Sequence, residues 1–397
     1  MNSALPSDAT HPLVTLRRDL HQIPEAGLHL PLTQARLLRE LEGLPLEITT
    51  GQQLSSIVAV LRGGRPSVGE PRVVLLRGDM DGLPVQELTG IDFASTNGNM
   101  HACGHDLHMA LLVGAVRSLC EAREELAGDV VFMFQPGEEG HDGAGQMIAE
   151  GLLQAAGARP TAAYAIHVWS SLEPLGRFNA RPGTMMAAAD VARVRVIGQG
   201  GHGSTPHRAV DPVPATAEMV TALNTMVTRR FDVFDPVVVT VGRLSAGTAP
   251  NVIPESAEFD ATLRSFSAQS RDQIMAQVPQ LLNGIAAAHG VRVEIEFTDS
   301  YPATVNHAHH VGLVAQAVSD LFGEDRYQEW ERPLVGSEDF SRVLLEVPGC
   351  FIGLSACPAD LDPGTAPFNH SAYARFDDAV LADGAALLTE LARRHLR

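Results

Sequence analysis

HMALLVGAVRSLCEAREELAGDVVFMFQ, residues 108–135, decides the fold class. Residues 108–126 carry apolar side chains at helical spacing, and DVVFMFQ (129–135) is a brief β-branched and aromatic run of the kind that forms a buried strand. Working outward, VVLLRGD (73–79) and AAYAIHV (162–168) read as strands of the same type, and AGQMIAEGLLQAAG (144–157) as a second helix between them. Strands that alternate with helices predict an α/β domain built on a mostly parallel sheet covered on both faces.

The texture changes after residue 186. VARVRVIG (191–198) alternates polar and apolar positions, as in a sheet with one wet face. A helix over about 211–230, opened by Asp211 and Pro212, follows it, then the strands PVVVTVGRL (236–244) and AEFDATLRSF (257–266). A second helix (about 270–289) and VRVEIEFT (291–298) complete a β-α-β-β-α-β order, that of a ferredoxin-like unit. Beyond residue 300 the first texture returns, with a helix near 310–322, the strand CFIGL (350–354) and a helix near 378–395. The expected organisation is a discontinuous α/β domain of residues 1–185 and 300–397, interrupted by a smaller inserted domain of residues 186–299.

Composition narrows the function classes. A chain of 397 residues accommodates two domains, and its 45% hydrophobic and 19% charged residues are ordinary for a globular protein. No apolar run reaches the roughly 18 residues of a membrane span, and the N-terminus lacks a basic start before an apolar block, so a cytoplasmic protein is expected. The net charge of −18 repels phosphate backbones and anionic lipid surfaces, so neither nucleic acid nor membrane is an expected partner. Four cysteines are too few for a disulfide scaffold.

Three short motifs carry chemistry. In MHACGHDLHMA (100–110), Cys103 and His105 stand just before a helix, whose dipole and free N–H groups favour the thiolate that a metal requires; Asp106 follows as a carboxylate able to orient an imidazole. In FQPGEEG (134–140), Glu138 and Glu139 are adjacent at the end of a core strand, where their mutual repulsion calls for a cation; a solvated helix-opening turn is the plainer alternative. His167 ends the strand AAYAIHV, where a hydrogen-bonded core histidine is the commoner outcome. Each motif alone is weak. Ligands of parallel sheets, however, bind beyond the carboxyl ends of the strands, and all three motifs fall at that edge, which favours one metal site. Asp79 and Asp81 in RGDMDGLPVQE (77–87) share the edge, the first suited to orienting a ligand or catalytic group and the second to fixing a turn. His370, in FNHSAYARFDD (368–378), is by itself as anonymous as His307, His309 and His310.

In order, RRDLHQIPE (17–25), RGDMDGLPVQE, MHACGHD, FQPGEEG, IHVW, GQGGHGSTPH, APNVIPE, GSEDF and NHSAY span nearly the whole chain. With these motifs the chain resembles the aminoacylase/carboxypeptidase family of dinuclear metal amidohydrolases. It is most similar to the branch of hippurate hydrolases, indole-acetyl-amino-acid hydrolases and N-acetyl-diaminopimelate deacetylases. The resemblance implies metal ligands at Cys103, His105, Glu139, His167 and His370, holding two divalent ions, with Glu138 as general base. It implies that the inserted domain is a lid and a homodimerisation surface, that His202 meets the substrate carbonyl, and that Asn251 and Arg264 hold a substrate carboxylate. His207 resembles a branch-typical histidine without an assigned role. Leu107, Asn369 and Ala372 depart from the pattern, where Gly, His or Leu, and Pro are common. The implied activity is hydrolysis of N-acyl amino acids or C-terminal peptide bonds, with zinc or manganese suiting the ligand set.

Three rivals weigh against this reading. A cysteine hydrolase with Cys103 as nucleophile leaves the glutamate pair and His167 without a task. Nucleotide binding at GQGGHG (198–203) lacks the following helix that would receive a pyrophosphate. A non-catalytic binding protein of the same fold has no need of Glu138.

Overall fold

Eight strands form the sheet of the larger unit, in the order Leu46–Thr50, Ile57–Leu61, Asp129–Gln135, Val73–Asp79, Ala162–Trp169, Gly349–Ser355, Phe178–Ala180, Tyr327–Glu329. They belong to a computed structural model that describes residues 11–66, 69 and 71–397. The first ten residues, assigned above to the larger domain, lie outside the described ones. The four central strands run parallel: Val73 pairs with Asp129, Val74 with Ala162 and Gly349 with Ala163. Val73–Asp79, Ala162–Trp169 and Gly349–Ser355 are buried at every residue, which is why they read as continuous apolar runs and not as alternation. Toward Leu46–Thr50 the pairing turns antiparallel.

The helix His105–Glu121 packs against the strands and lies beside Pro12–His21 and Leu381–His395. Its interior Gly114 makes that approach possible, since a Cβ there would stand 2.7 Å from the Ala385 Cβ and 2.9 Å from Leu13 Cδ1. Leu111, Leu112 and Val116 of this helix join Leu16, Leu20, Leu387, Leu388 and the strand residues Leu76, Ile166 and Ile352 in one core. Each such fully buried aliphatic side chain contributes about 1.5–3 kcal/mol. The helix therefore holds its N-terminus, with His105, firmly at the carboxyl edge of the sheet.

The chain divides into two compact units: Met1–Met185 with Val305–Arg332 and Asp339–Arg397, and Met186–Thr304 with Pro333–Glu338. In the second unit a four-stranded antiparallel sheet has the order Val237–Ala246, Ser256–Ser265, Ala188–Ile197, Arg292–Tyr301. The helices Pro212–Arg230 and Ala268–His289 complete a strand-helix-strand-strand-helix-strand succession. Asp211 caps the first helix by accepting from the Val213 amide at 2.9 Å, with Pro212 in the first turn. Val194, Val196, Phe259 and Leu263 are buried in this unit's core. On the opposite strand positions Arg243 pairs with Asp260 (3.1 Å) and Glu258 (3.4 Å), a solvated ladder that accounts for the alternating pattern. A small hairpin pairs Gly201–His202 with Val252–Ile253. No helix among the described residues is long and apolar enough to cross a membrane.

Candidate metal centre

The site starts from a glycine. Gly104 caps the helix His105–Glu121 with φ +83°, a left-handed conformation that glycine adopts without strain. A Cβ there would lie 2.4 Å from Val168 Cγ2 and 3.1 Å from Phe376 Cε1, so only glycine lets this loop press onto the end of the Ala162–Trp169 strand. The two residues flanking Gly104 are thereby fixed against His167. Cys103 Sγ lies 3.4 Å from His167 Nε2, and both are buried. His105 donates its Nδ1 proton to the Asp81 carbonyl at 2.8 Å, which turns Nε2 inward. That buried Nε2 has no hydrogen-bond partner and stands 3.5 Å from Asp79 Oδ2.

Glu138 and Glu139 follow the strand Asp129–Gln135, and Asp81 sets their direction. Its two carboxylate oxygens accept the amides of Glu138 and Glu139, each at 3.0 Å. The turn that Asp81 fixes is therefore that of the glutamate pair, and its backbone carbonyl orients His105 as well. His370 arrives on the loop after Gly349–Ser355. It is a non-glycine residue at φ +74°, tied by its amide to the Ala102 carbonyl at 2.8 Å. A left-handed backbone of this kind costs about 1–3 kcal/mol and persists only where surroundings impose it. In return His370 Nε2 reaches 3.0 Å from Glu139 Oε1 and 3.3 Å from Cys103 Sγ.

The ligand atoms of Cys103, His105 and His167 lie within 4.8 Å of one another, as do those of Cys103, Glu139 and His370, and those of His105, Glu138 and Glu139. The first two groups meet at the Cys103 sulfur. A further group of Asp79, His105 and His108 has the same compactness. Its His108 is already engaged on both nitrogens, Nδ1 at 2.5 Å from Asp79 Oδ1 and Nε2 accepting the Val168 amide at 2.7 Å. Asp79 thus orients a histidine that the sequence motifs did not single out.

The electrostatics fit a cation. Burial disfavours a charge on His105, yet the facing Asp79 carboxylate, Asp81 and Cys103 outweigh it and raise its pKa well above the ordinary value. The Cys103 sulfur and Glu139 push His370 up to about 10. His167, by contrast, is driven well below its ordinary value by burial and by neighbouring His108. On His105 and His370 a proton occupies the place a metal would take, and thiolate, imidazole and carboxylate together are the donor set of a divalent transition ion.

Around the cluster lies a ring of buried polar residues. Arg77 Nη1 meets Asp79 Oδ2 at 2.6 Å, its Nε donates to Gln135 Oε1 at 2.8 Å, and its Nη2 lies 3.2 Å from Asp339 Oδ1. Asp339 also accepts the Ala144 amide at 2.9 Å. Sequence reasoning missed Arg77, Gln135, His108 and Asp339. A charged Arg77 inside the apolar run VVLLRGD was the available signal, because a buried guanidinium must find partners. Asp106 lies elsewhere: it pairs with Arg17 Nε at 2.7 Å and His21 Nδ1 at 2.8 Å and orients none of the candidate ligands.

His202, Asn251 and Arg264 stand in the second unit. His202 and Asn251 are neighbours, since His202 pairs with Val252 and the Gly203 amide donates to the Asn251 carbonyl at 2.9 Å. The Ser204 amide donates to His202 Nδ1 at 3.1 Å, so the neutral ring carries its proton on Nε2. Arg264 sits on the strand Ser256–Ser265, with Nη1 donating to Ser337 Oγ at 3.3 Å. Burial lowers its pKa against the attraction of the Asp190 carboxylate, which is itself held by Arg271 at 2.8 and 2.9 Å. His207 is exposed in the short turn Pro206–Arg208.

A buried thiol, imidazole and carboxylate cluster at the carboxyl edge of the parallel strands is a candidate site for a divalent metal ion. Residues 75–394 match Peptidase family M20/M25/M40, and the chain belongs to that family. It is 35% identical over 392 residues to an IAA-amino acid hydrolase of Arabidopsis thaliana, covering 97% of this chain and 85% of the relative. A thermostable carboxypeptidase of Saccharolobus solfataricus is 33% identical over 378 residues, covering 94% and 92%. Among solved structures, the YXEP protein of Bacillus subtilis, described as a dinuclear metal binding peptidase from the M20 family, superposes with a TM-score of 0.80 at 29% identity and 97% coverage of both chains. The chain is accordingly an enzyme of the metallopeptidase and amidohydrolase class.

Proposed function

We propose that the chain hydrolyses the amide bond of N-acyl amino acids or C-terminal peptide bonds at two divalent ions held by Cys103, His105, Glu139, His167 and His370. The observation that carries the reading is the meeting of two ligand groups at one sulfur. Cys103, His105 and His167 form one, Cys103, Glu139 and His370 the other, with the Glu138 carboxylate beside them. Zinc or manganese bound there would supply Lewis-acid polarisation of the scissile carbonyl and of a water molecule.

The remaining steps belong to the chain's own groups. Glu138, buried and with its amide gripped by Asp81, takes the proton of the attacking water and returns it to the departing nitrogen. His202 is assigned as the donor to the carbonyl oxygen as negative charge develops on it, with Ser204 keeping the ring's proton on Nε2. Asn251 and Arg264 receive a carboxylate beside the amide, which selects acyl amino acids over simple amides. Residues 186–299 then act as a ferredoxin-like lid and as the surface through which homodimers form, and the discontinuous remainder is the catalytic domain.

The test is a hydrolysis screen of N-acetyl, N-benzoyl and dipeptide substrates with zinc and with manganese, measuring released amine. Cleavage that chelator abolishes and added metal restores is expected. Cleavage that survives chelation and ends with iodoacetamide identifies a Cys103 nucleophile instead, for which His167 at 3.4 Å would be the base.

A further inference from the structure

The residue before His370 does more than carry the chain past it. Asn369 is only 9% exposed, and its side-chain amide ties its own loop to two other segments. Oδ1 accepts from the Ser170 amide at 3.0 Å and lies 3.1 Å from the Ser170 hydroxyl. Nδ2 donates to the Val168 carbonyl at 3.0 Å and to the Cys103 carbonyl at 3.2 Å, and stands 3.7 Å from Cys103 Sγ. The orientation has no alternative. Rotating the amide by half a turn would set its oxygen against two carbonyl oxygens and its NH2 against a backbone N–H.

Each tethered segment bears a proposed ligand: Cys103 itself, His167 immediately before Val168, and His370 immediately after Asn369. These three are distant in sequence, and His370 is held in a left-handed backbone that needs an external constraint. We infer that Asn369 is a positioning residue of the metal centre: one amide fixes the mutual placement of Cys103, His167 and His370 and leans an N–H toward the Cys103 sulfur. The inference rests on the metal-centre reading proposed above. A hydrogen-bonding amide at this point removes rotational freedom that metal binding would otherwise have to freeze.

The experiment is a cobalt(II) titration of the full chain, of Asn369→Leu and of Asn369→Asp, with chelator competition for affinity and the thiolate-to-cobalt absorption band as a report on Cys103. Thermal unfolding of each metal-free chain runs alongside. Both variants are expected to bind cobalt about 10–100-fold more weakly and to show a displaced or weakened thiolate band. Asn369→Asp, which turns an anionic oxygen toward two carbonyls, should lose more. Should the leucine chain fail to fold, the aspartate chain, equal in size and keeping the acceptor oxygen, carries the test. Variants with the parent's affinity and the parent's band overturn the inference, even if their metal-free chains melt earlier, because Asn369 would then be a brace for the fold alone. A parent chain that takes up no cobalt, or takes it up without a thiolate band, overturns the metal-centre reading itself.

Discussion

Replacing Gly104 with alanine should damage the centre without touching a ligand. The backbone there sits at φ +83°, where an L-residue pays about 1–2 kcal/mol relative to glycine. The new methyl would also stand 2.4 Å from Val168 Cγ2 and 3.1 Å from Phe376 Cε1, well inside contact distance. Forcing a methyl into such a closed space adds typically about 1–3 kcal/mol. The sum is about 2–5 kcal/mol, a large part of the roughly 5–15 kcal/mol that separates folded from unfolded chains. Relief by pushing Val168 outward moves the strand end that carries His167, so metal affinity should fall together with stability. Urea unfolding of the metal-free chain measures the first effect, and chelator competition the second. A Gly104→Ala chain that unfolds within about 0.5 kcal/mol of the parent and binds metal equally well would refute the reasoning, because the loop would then have room the geometry denies it.

Glu138→Gln should retain both metals by elemental analysis while turnover drops about 10²–10⁴-fold, the usual contribution of a positioned general base; near-normal turnover removes Glu138 from that role. His202→Ala should lower kcat by about 10²–10³-fold at unchanged metal content, and a loss below tenfold would leave the carbonyl without its assigned donor. The pH dependence of stability should carry the mark of His21. Burial opposes a charge on this ring, but Asp106 and Glu87 outweigh it and raise its pKa above 6.5. A raised folded value means that its stabilisation is full below the ordinary histidine pKa and fades as pH rises through the folded one. The difference in unfolding free energy between parent and His21→Asn should therefore be largest at pH 6 or below and shrink on the alkaline side; a difference that grows with pH contradicts the pairing.

The parallel strands were legible because burial on both faces leaves an unbroken apolar run, as in AAYAIHV and DVVFMFQ. The edge strand Leu46–Thr50 was not: four of its five residues are exposed, and its sequence has neither an apolar run nor strict alternation. Phe178–Ala180 and Tyr327–Glu329 are too short to carry any periodicity. In the site, Cys103, His105, Glu138, Glu139 and His167 could be read from local pattern because each lies just past a recognisable strand or before a recognisable helix. His370 could not be, and only the family likeness picked it out from His307, His309 and His310. Of the orienting residues, Asp79 and Asp81 were legible at the strand end, but those arriving from distant segments were not. Asp339 reaches Gln135 across 204 positions and Asn369 reaches Cys103 across 266, distances over which composition and periodicity hold no information. Asp106 shows the converse. Its place beside His105 suggested a role at the metal, but on a helix the adjacent side chain points another way, here to Arg17 and His21.

Anomalous diffraction from a crystal of the full chain soaked in zinc or manganese addresses the central claim most directly. Two peaks are expected, one among Cys103, His105 and His167 and the other among Cys103, Glu139 and His370, with the sulfur common to both. A single peak held by Asp79 and His108, or none near Cys103, would contradict the account.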